Sequence, residues 1–289
     1  MGFFDSIKVG WKLTKLSFRI LMDEKKLLIF PFVSAIFSVF IGILFFIPFI
    51  FVEAIKLSES TSQLGSILVL VVLFLFYLVS SFFATFFNVG LVHSMKSRIE
   101  GKDVSIGASI GFAFSRFGVI FKWAFISAIV GLILNALENA ARKARGIGGI
   151  VISIIRGLIG FAWGVLTFFV IPVIVYENIG VVDTIKRSGQ IIKQTWKEAI
   201  VVNFGVGLIL FPIFLGWIIL GTIAVFVTIP IDLLLGIIVG LFFLFGFLVI
   251  ALFASALGQV YRTLLYLYAV QGAELPGFSD AETQSLFGR

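Results

Sequence analysis

The sequence predicts an all-α integral membrane protein of six transmembrane helices and three amphipathic surface helices, ordered as a threefold repeat of helix plus hairpin. Three observations lead there. The 289 residues are 60% hydrophobic and 13% charged, with a mean hydropathy of +1.18. A soluble domain needs more charge than that to cover its surface. Six apolar stretches are each long enough for the roughly 20 helical residues that cross about 30 Å of hydrocarbon. Their apolar character is continuous, whereas a lipid-facing barrel strand would alternate.

The six stretches lie near 27–52, 64–92, 117–137, 150–176, 200–227 and 233–258. Lysine and arginine orient them. With both termini inside, the inner side holds 17 of the 22 basic residues, and the outer side holds Lys56, Arg142, Lys143, Arg145 and Arg156. Positive charge stays on the cytoplasmic side, so the sequence predicts a multi-pass protein of the cell (plasma) membrane with both termini cytoplasmic. The start, MGFFDSIKVGWKLTK, lacks the apolar core and small-residue cleavage site of a signal peptide. Gly2 and Ser6 fit a myristoylation pattern too short to carry weight.

The surface helices come in chain order. In the first, Phe4, Ile7, Trp11, Thr14, Phe18 and Leu21 share one face, and Lys8, Lys12, Lys15, Arg19 and Lys26 the other. In the second, Ile106, Ile110, Ala113 and Phe117 share a face and Asp103 stands where a cap would. In the third, Val182, Ile185, Gly189, Ile192, Trp196 and Ala199 oppose Lys186, Gln190, Lys193, Gln194 and Lys197, with Asp183 as the expected N-cap. This is the pattern of a helix lying in the membrane surface. Each precedes an apolar hairpin. FVSAI (Phe32–Ile36) returns as FISAI (Phe125–Ile129), and VGLIL occurs at Val130–Leu134 and again at Val206–Leu210. TFFNVG (Thr85–Gly90) corresponds to TFFVIP (Thr167–Pro172). One membrane domain over 1–270 is therefore expected, with units 1–92, 103–176 and 181–270 and a cytoplasmic tail over 271–289.

Two stretches resemble the ends of an uncharacterised family of bacterial and archaeal six-span membrane proteins, a domain of unknown function. The first runs from Ser17-Phe18-Arg19-Ile20-Leu21 through Glu24-Lys25-Lys26-Leu27 to Phe30-Pro31; the family's Asp-Lys is Glu24-Lys25 here. The second holds Leu267-Tyr268-Ala269, Gly272 and Gly277-Phe278. The segment PVIVYENIGVVDTIKRSGQIIKQTW (Pro172–Trp196) is similar to an elbow in the membrane region of some glycerophosphodiester phosphodiesterases. The resemblance implies a fold and no transferable activity.

Candidate sites are few. The chain has no cysteine and one histidine, His93, which speaks against thiolate chemistry and a His-based metal site. No Ser/His/Asp, HExxH, P-loop or paired-carboxylate pattern occurs. A non-enzymatic protein without cofactor or metal is expected. Lys8, Lys12, Lys15, Arg19, Lys186, Arg187, Lys193 and Lys197 are the expected contacts to anionic headgroups on the cytoplasmic side. Arg156, Asn203 and Glu138 mark a polar path through the membrane, unless Arg156 belongs to the outer headgroup layer. Asn88, Asn135 and Gln259 suit bonds between helices, Gly160-x-x-x-Gly164 and Gly236-x-x-x-Gly240 suit close helix contacts, and Pro212 should kink span five. The leading expectation is a lipid-interacting, assembly-forming membrane component that admits a homo-oligomer and has no nucleic-acid partner. The alternative is a channel or transporter for a small solute, ion or lipid.

Overall fold

A computed structural model describes residues 14–56, 62–144, 146–194 and 196–271. These residues are helical almost throughout, with no strand among them. Helix α1 covers residues 14–23. A 3-10 turn, Lys25–Leu28, leads into α2 (Ile29–Lys56), followed by α3 (Ser62–Ile99), α4 (Ile106–Ser115) and α5 (Phe117–Lys143). Then come α6 (Ile147–Leu166), α7 (Val170–Tyr176), α8 (Val181–Gln194), α9 (Trp196–Thr228) and α10 (Leu233–Gln271). Among the described residues six helical segments are long and apolar enough to cross a membrane: Lys25–Phe51, Leu64–Ile99, Phe117–Lys143, Ile147–Tyr176, Leu210–Thr228 and Leu233–Leu267.

The helices belong to two compact units. One is drawn from both chain ends, Met1–Pro31 and Lys193–Arg289, and the other is Phe32–Ile192. Lipid offers no hydrophobic drive for helices to associate, so close packing must hold them. In the central unit phenylalanines do this. Phe37 of α2 stacks on Phe83 of α3 with centroids 4.6 Å apart, and Phe82 of α3 meets Phe117 of α5 edge-on at 5.2 Å. Trp123 of α5 and Trp163 of α6 lie parallel at 5.5 Å. Such pairs contribute about 0.5–1.5 kcal/mol each beyond their buried area. Glycine permits the closest approach at the α5–α6 turn, where a Cβ on Gly149 would press on the carbonyl oxygens of Ala141 and Ala144.

In the terminal unit α9 and α10 pack as an antiparallel pair. Trp217 Nε1 donates to the Phe243 carbonyl at 2.8 Å, and its ring fills the space that a side chain on Gly246 would take. Asp232 caps α10, its Oδ1 accepting from Leu235 N at 2.8 Å. Pro48 in α2 and Pro212 in α9 sit inside unbroken helices. The break falls instead in span four, at Thr167–Phe169. Pro172 accounts for it: proline lacks an N–H, and its ring would meet the carbonyl of the residue four back, Phe168.

Burial divides each helix lengthwise. In the central unit the core gathers at one end, around Phe86, Val89, Met95, Ala113, Ile120, Trp123 and the α7 residues Val170, Val173, Ile174 and Val175. In the terminal unit the residues Ala256–Leu267 are enclosed on nearly every side, together with Leu21, Leu27 and Phe30. The remaining lengths expose large apolar side chains in unbroken series, among them Phe46, Ile47 and Phe51 of α2 and Phe242, Phe245 and Leu248 of α10. Soluble monomers rarely expose apolar patches of more than a few hundred Å². This surface suits hydrocarbon.

Candidate functional site

Pro172 shapes a buried polar site. The break before α7 releases the Phe169 N–H from the helical ladder, and this donor is buried. Ser188 Oγ of α8 accepts from it at 3.0 Å. One turn earlier Thr184 Oγ1 donates to the Gly180 carbonyl at 2.9 Å. Both hydroxyl residues are fully buried. Arg187 Nε lies 2.9 Å from Glu177 Oε1 and adds an ionic tie between α8 and the end of α7.

These bonds set the face that α8 turns inward. Val181, Thr184, Ser188, Ile191 and Ile192 are buried, while Val182, on the arc expected to face the membrane, is 55% exposed. The buried arc is rotated by roughly 90° from that apolar arc, at about 100° per residue. A hydrophobicity pattern overlooks Thr184 and Ser188, because a satisfied hydroxyl is buried at little cost. Asp183 is not the N-cap either, since α8 begins at Val181 and places it within the first turn. At α4 the cap is Ser105, whose hydroxyl accepts from Ala108 N at 3.3 Å, in place of the expected Asp103.

The outward arc of α8 carries Lys186, Gln190 and Lys193 beside Val182, all exposed. Lys186 Nζ is 3.8 Å from Asp183. Arg187 is at the rim, engaged with Glu177. Lys197 lies in α9 with its side chain outside the described residues. In α1, Lys15 and Arg19 are exposed alongside Phe18 and Met22, while Thr14, Leu16, Ser17 and Leu21 are buried. Phe18 also touches Phe253 of α10 at 5.4 Å. Lys8 and Lys12 lie outside the described residues.

The same end of the central unit gathers other polar groups. His93 Nδ1 is 3.1 Å from Ser109 Oγ, and its ring stacks on Phe112 at 4.2 Å. Ser94 Oγ also reaches Ser109 Oγ, at 2.7 Å. Among the described residues the imidazole bonds to Ser109 and not to Glu100 or Asp103. Lys102 Nζ, 2.6 Å from Glu100 Oε2, holds that carboxyl below its usual range. Lys96 sits over the Tyr176 ring at 5.0 Å. Arg116 bonds to Asn178, tying the start of α5 to the α7–α8 connection.

At the opposite end of the same unit, Arg156 Nε of α6 pairs with Glu138 Oε2 of α5 at 2.8 Å. Arg142 Nε takes the other oxygen at 3.2 Å. Asn135 bonds to Asn139 within α5 and not to a neighbouring helix. Asn203 lies in α9, its side chain outside the described residues. No group of three or more His, Cys, Asp or Glu suited to a metal occurs among the described residues.

Six apolar helices of membrane-spanning length and a polar end built on α4, α7 and α8 define the class: a helical, membrane-type protein. Residues 67–276 match a family of unknown function, DUF6159, and the chain belongs to that family. The matched region begins after the Ser17–Pro31 motif and stops one residue short of Gly277-Phe278. No curated protein matches the chain.

Proposed function

We propose that this protein is a non-enzymatic component of the cell membrane whose surface helices hold anionic phospholipid headgroups on the cytoplasmic side. One observation carries the reading. The inward face of α8 is consumed by contacts within the protein, so Lys186 and Lys193 point outward beside an exposed Val182. A cation flanked by a short apolar side chain suits the boundary between headgroups and acyl chains. α1 repeats the arrangement, with Arg19 beside Phe18 and Met22. Within the reading α1, α4 and α8 are three elbows, each opening one unit of a parallel threefold repeat.

Each lysine or arginine near an anionic leaflet contributes about 1 kcal/mol, screened within a Debye length of about 10 Å at 0.1 M salt. The test is thermal melting of the purified chain in nanodiscs of phosphatidylglycerol or of phosphatidylcholine. The reading expects a higher midpoint in the anionic discs, and a gap that closes as salt rises. Equal midpoints at low salt would remove it.

A further inference from the structure

The α5–α6 end holds a charge arrangement that lipid contact at the elbows does not use. Glu138 is one carboxylate shared by two guanidiniums, each bound through its Nε. Among the described residues neither arginine has a further partner, so the terminal nitrogens of both remain for a ligand. The trio carries a net charge of +1, because one carboxylate meets two cations. An arginine near hydrocarbon is costly unless its charge is matched. Beside Glu138 and Arg142 is an open cleft of about 550 Å³, whose lining includes Gly149, Ile150, Ser153 and Ile154 but not Arg156. Ser153 lies one turn before Arg156 on α6.

Depth suits a headgroup. At 1.5 Å per residue Arg156 is about 13 Å from the start of α6. Helical side chains lean toward the N-terminal end of their helix, so a long arginine there extends toward the headgroup layer at the start of α6. Guanidinium forks match the oxygens of a phosphate, and two forks fixed on one carboxylate present paired donors already oriented. We propose that Arg142 and Arg156, held by Glu138, form a clasp for one phosphate group, supplied by a phospholipid headgroup or by the free anion. The site lies at the end of the central unit away from α4 and α8 and is independent of them.

The experiment uses the full chain, delipidated in detergent. Phosphatidylglycerol, a diacylglycerol with the same acyl chains, and inorganic phosphate are added separately. Lipid retention is read by native mass spectrometry and stability by tryptophan fluorescence. The clasp predicts one retained phosphatidylglycerol that Arg142→Gln and Arg156→Gln each weaken about tenfold, the order expected for losing one charge-assisted fork. Glu138→Gln keeps both guanidiniums but loses the carboxylate that orients them, so it weakens retention less than either arginine variant. Diacylglycerol is not retained. A stabilising shift with inorganic phosphate alone, lost in the same variants, assigns the site to the free anion; a shift with the phospholipid only assigns it to a headgroup. Arg142 is 75% exposed, so its variant folds even where Arg156→Gln does not. Lys186→Gln with Lys193→Gln leaves this lipid bound, which separates failure at the elbows from failure here. Unchanged retention and melting shifts in both arginine variants would overturn the clasp.

Discussion

Ser188 shows how one side chain inherits the consequence of another. Pro172 interrupts span four, the interruption frees the Phe169 N–H, and Ser188 Oγ meets it at 3.0 Å. Removing the hydroxyl takes one hydrogen bond from a buried donor, at a cost of about 0.5–1.5 kcal/mol. Ser188→Ala should therefore lower the melting midpoint of the detergent-purified chain, while Gln190→Ala on the exposed arc should not. Equal midpoints for the two would show that the bond does not hold α8. Gly246 offers a second case. A methyl group there would run into the Trp217 ring, and overpacking of this kind costs about 1–3 kcal/mol. Gly246→Ala should lower the midpoint, and shortening the opposing ring with Trp217→Leu should recover part of the loss. The Glu138–Arg156 pair was legible from charge and spacing. The Ser188 and Trp217 contacts were not, because each depends on a partner distant in sequence.

The amphipathic segments were legible as helices, and the arcs they pack against the protein were not. Basic residues at Lys186 and Lys193 marked the exposed arc of α8 correctly. The arc packed within the protein was not legible, because the buried Thr184 and Ser188 carry no apolar signal. Capping was misread at α4 and α8 for a related reason: acidic residues drew attention, and Ser105 and the Gly180–Val181 start decided the ends. The abundant phenylalanine could not be assigned from sequence. In the structure Phe37, Phe82 and Phe83 build contacts between helices, while Phe46, Phe51 and Phe245 remain exposed. Orientation is tested on the same elements. The chain has no cysteine, so single substitutions report accessibility cleanly. Lys193→Cys and Lys102→Cys should react with a membrane-impermeant reagent only from the cytoplasmic side, and Arg142→Cys only from outside. The reverse pattern would invert the topology.

The six spans were legible throughout because their signal is additive over about 20 residues and needs no partner. Grouping into units was less legible. The terminal unit joins Met1–Pro31 to Lys193–Arg289, and sequence order does not announce contacts between chain ends. The threefold repeat makes its own prediction: an experimental structure should superpose 1–92, 103–176 and 181–270 by rotation about the membrane normal, with all three elbows in one leaflet. An elbow in the other leaflet would contradict it. The account as a whole stands on the elbows holding anionic lipid. The direct measurement combines Lys186→Gln, Lys193→Gln and Lys197→Gln, keeping Arg187 and the N-terminal charges to preserve orientation. Retained anionic lipid is counted by mass spectrometry, and melting is followed in anionic and zwitterionic nanodiscs at low salt. At about 1 kcal/mol per cation, the account predicts fewer retained anionic lipids and a lower midpoint in anionic discs alone. Unchanged lipid content and an unchanged midpoint would contradict it and leave these charges as signals for insertion.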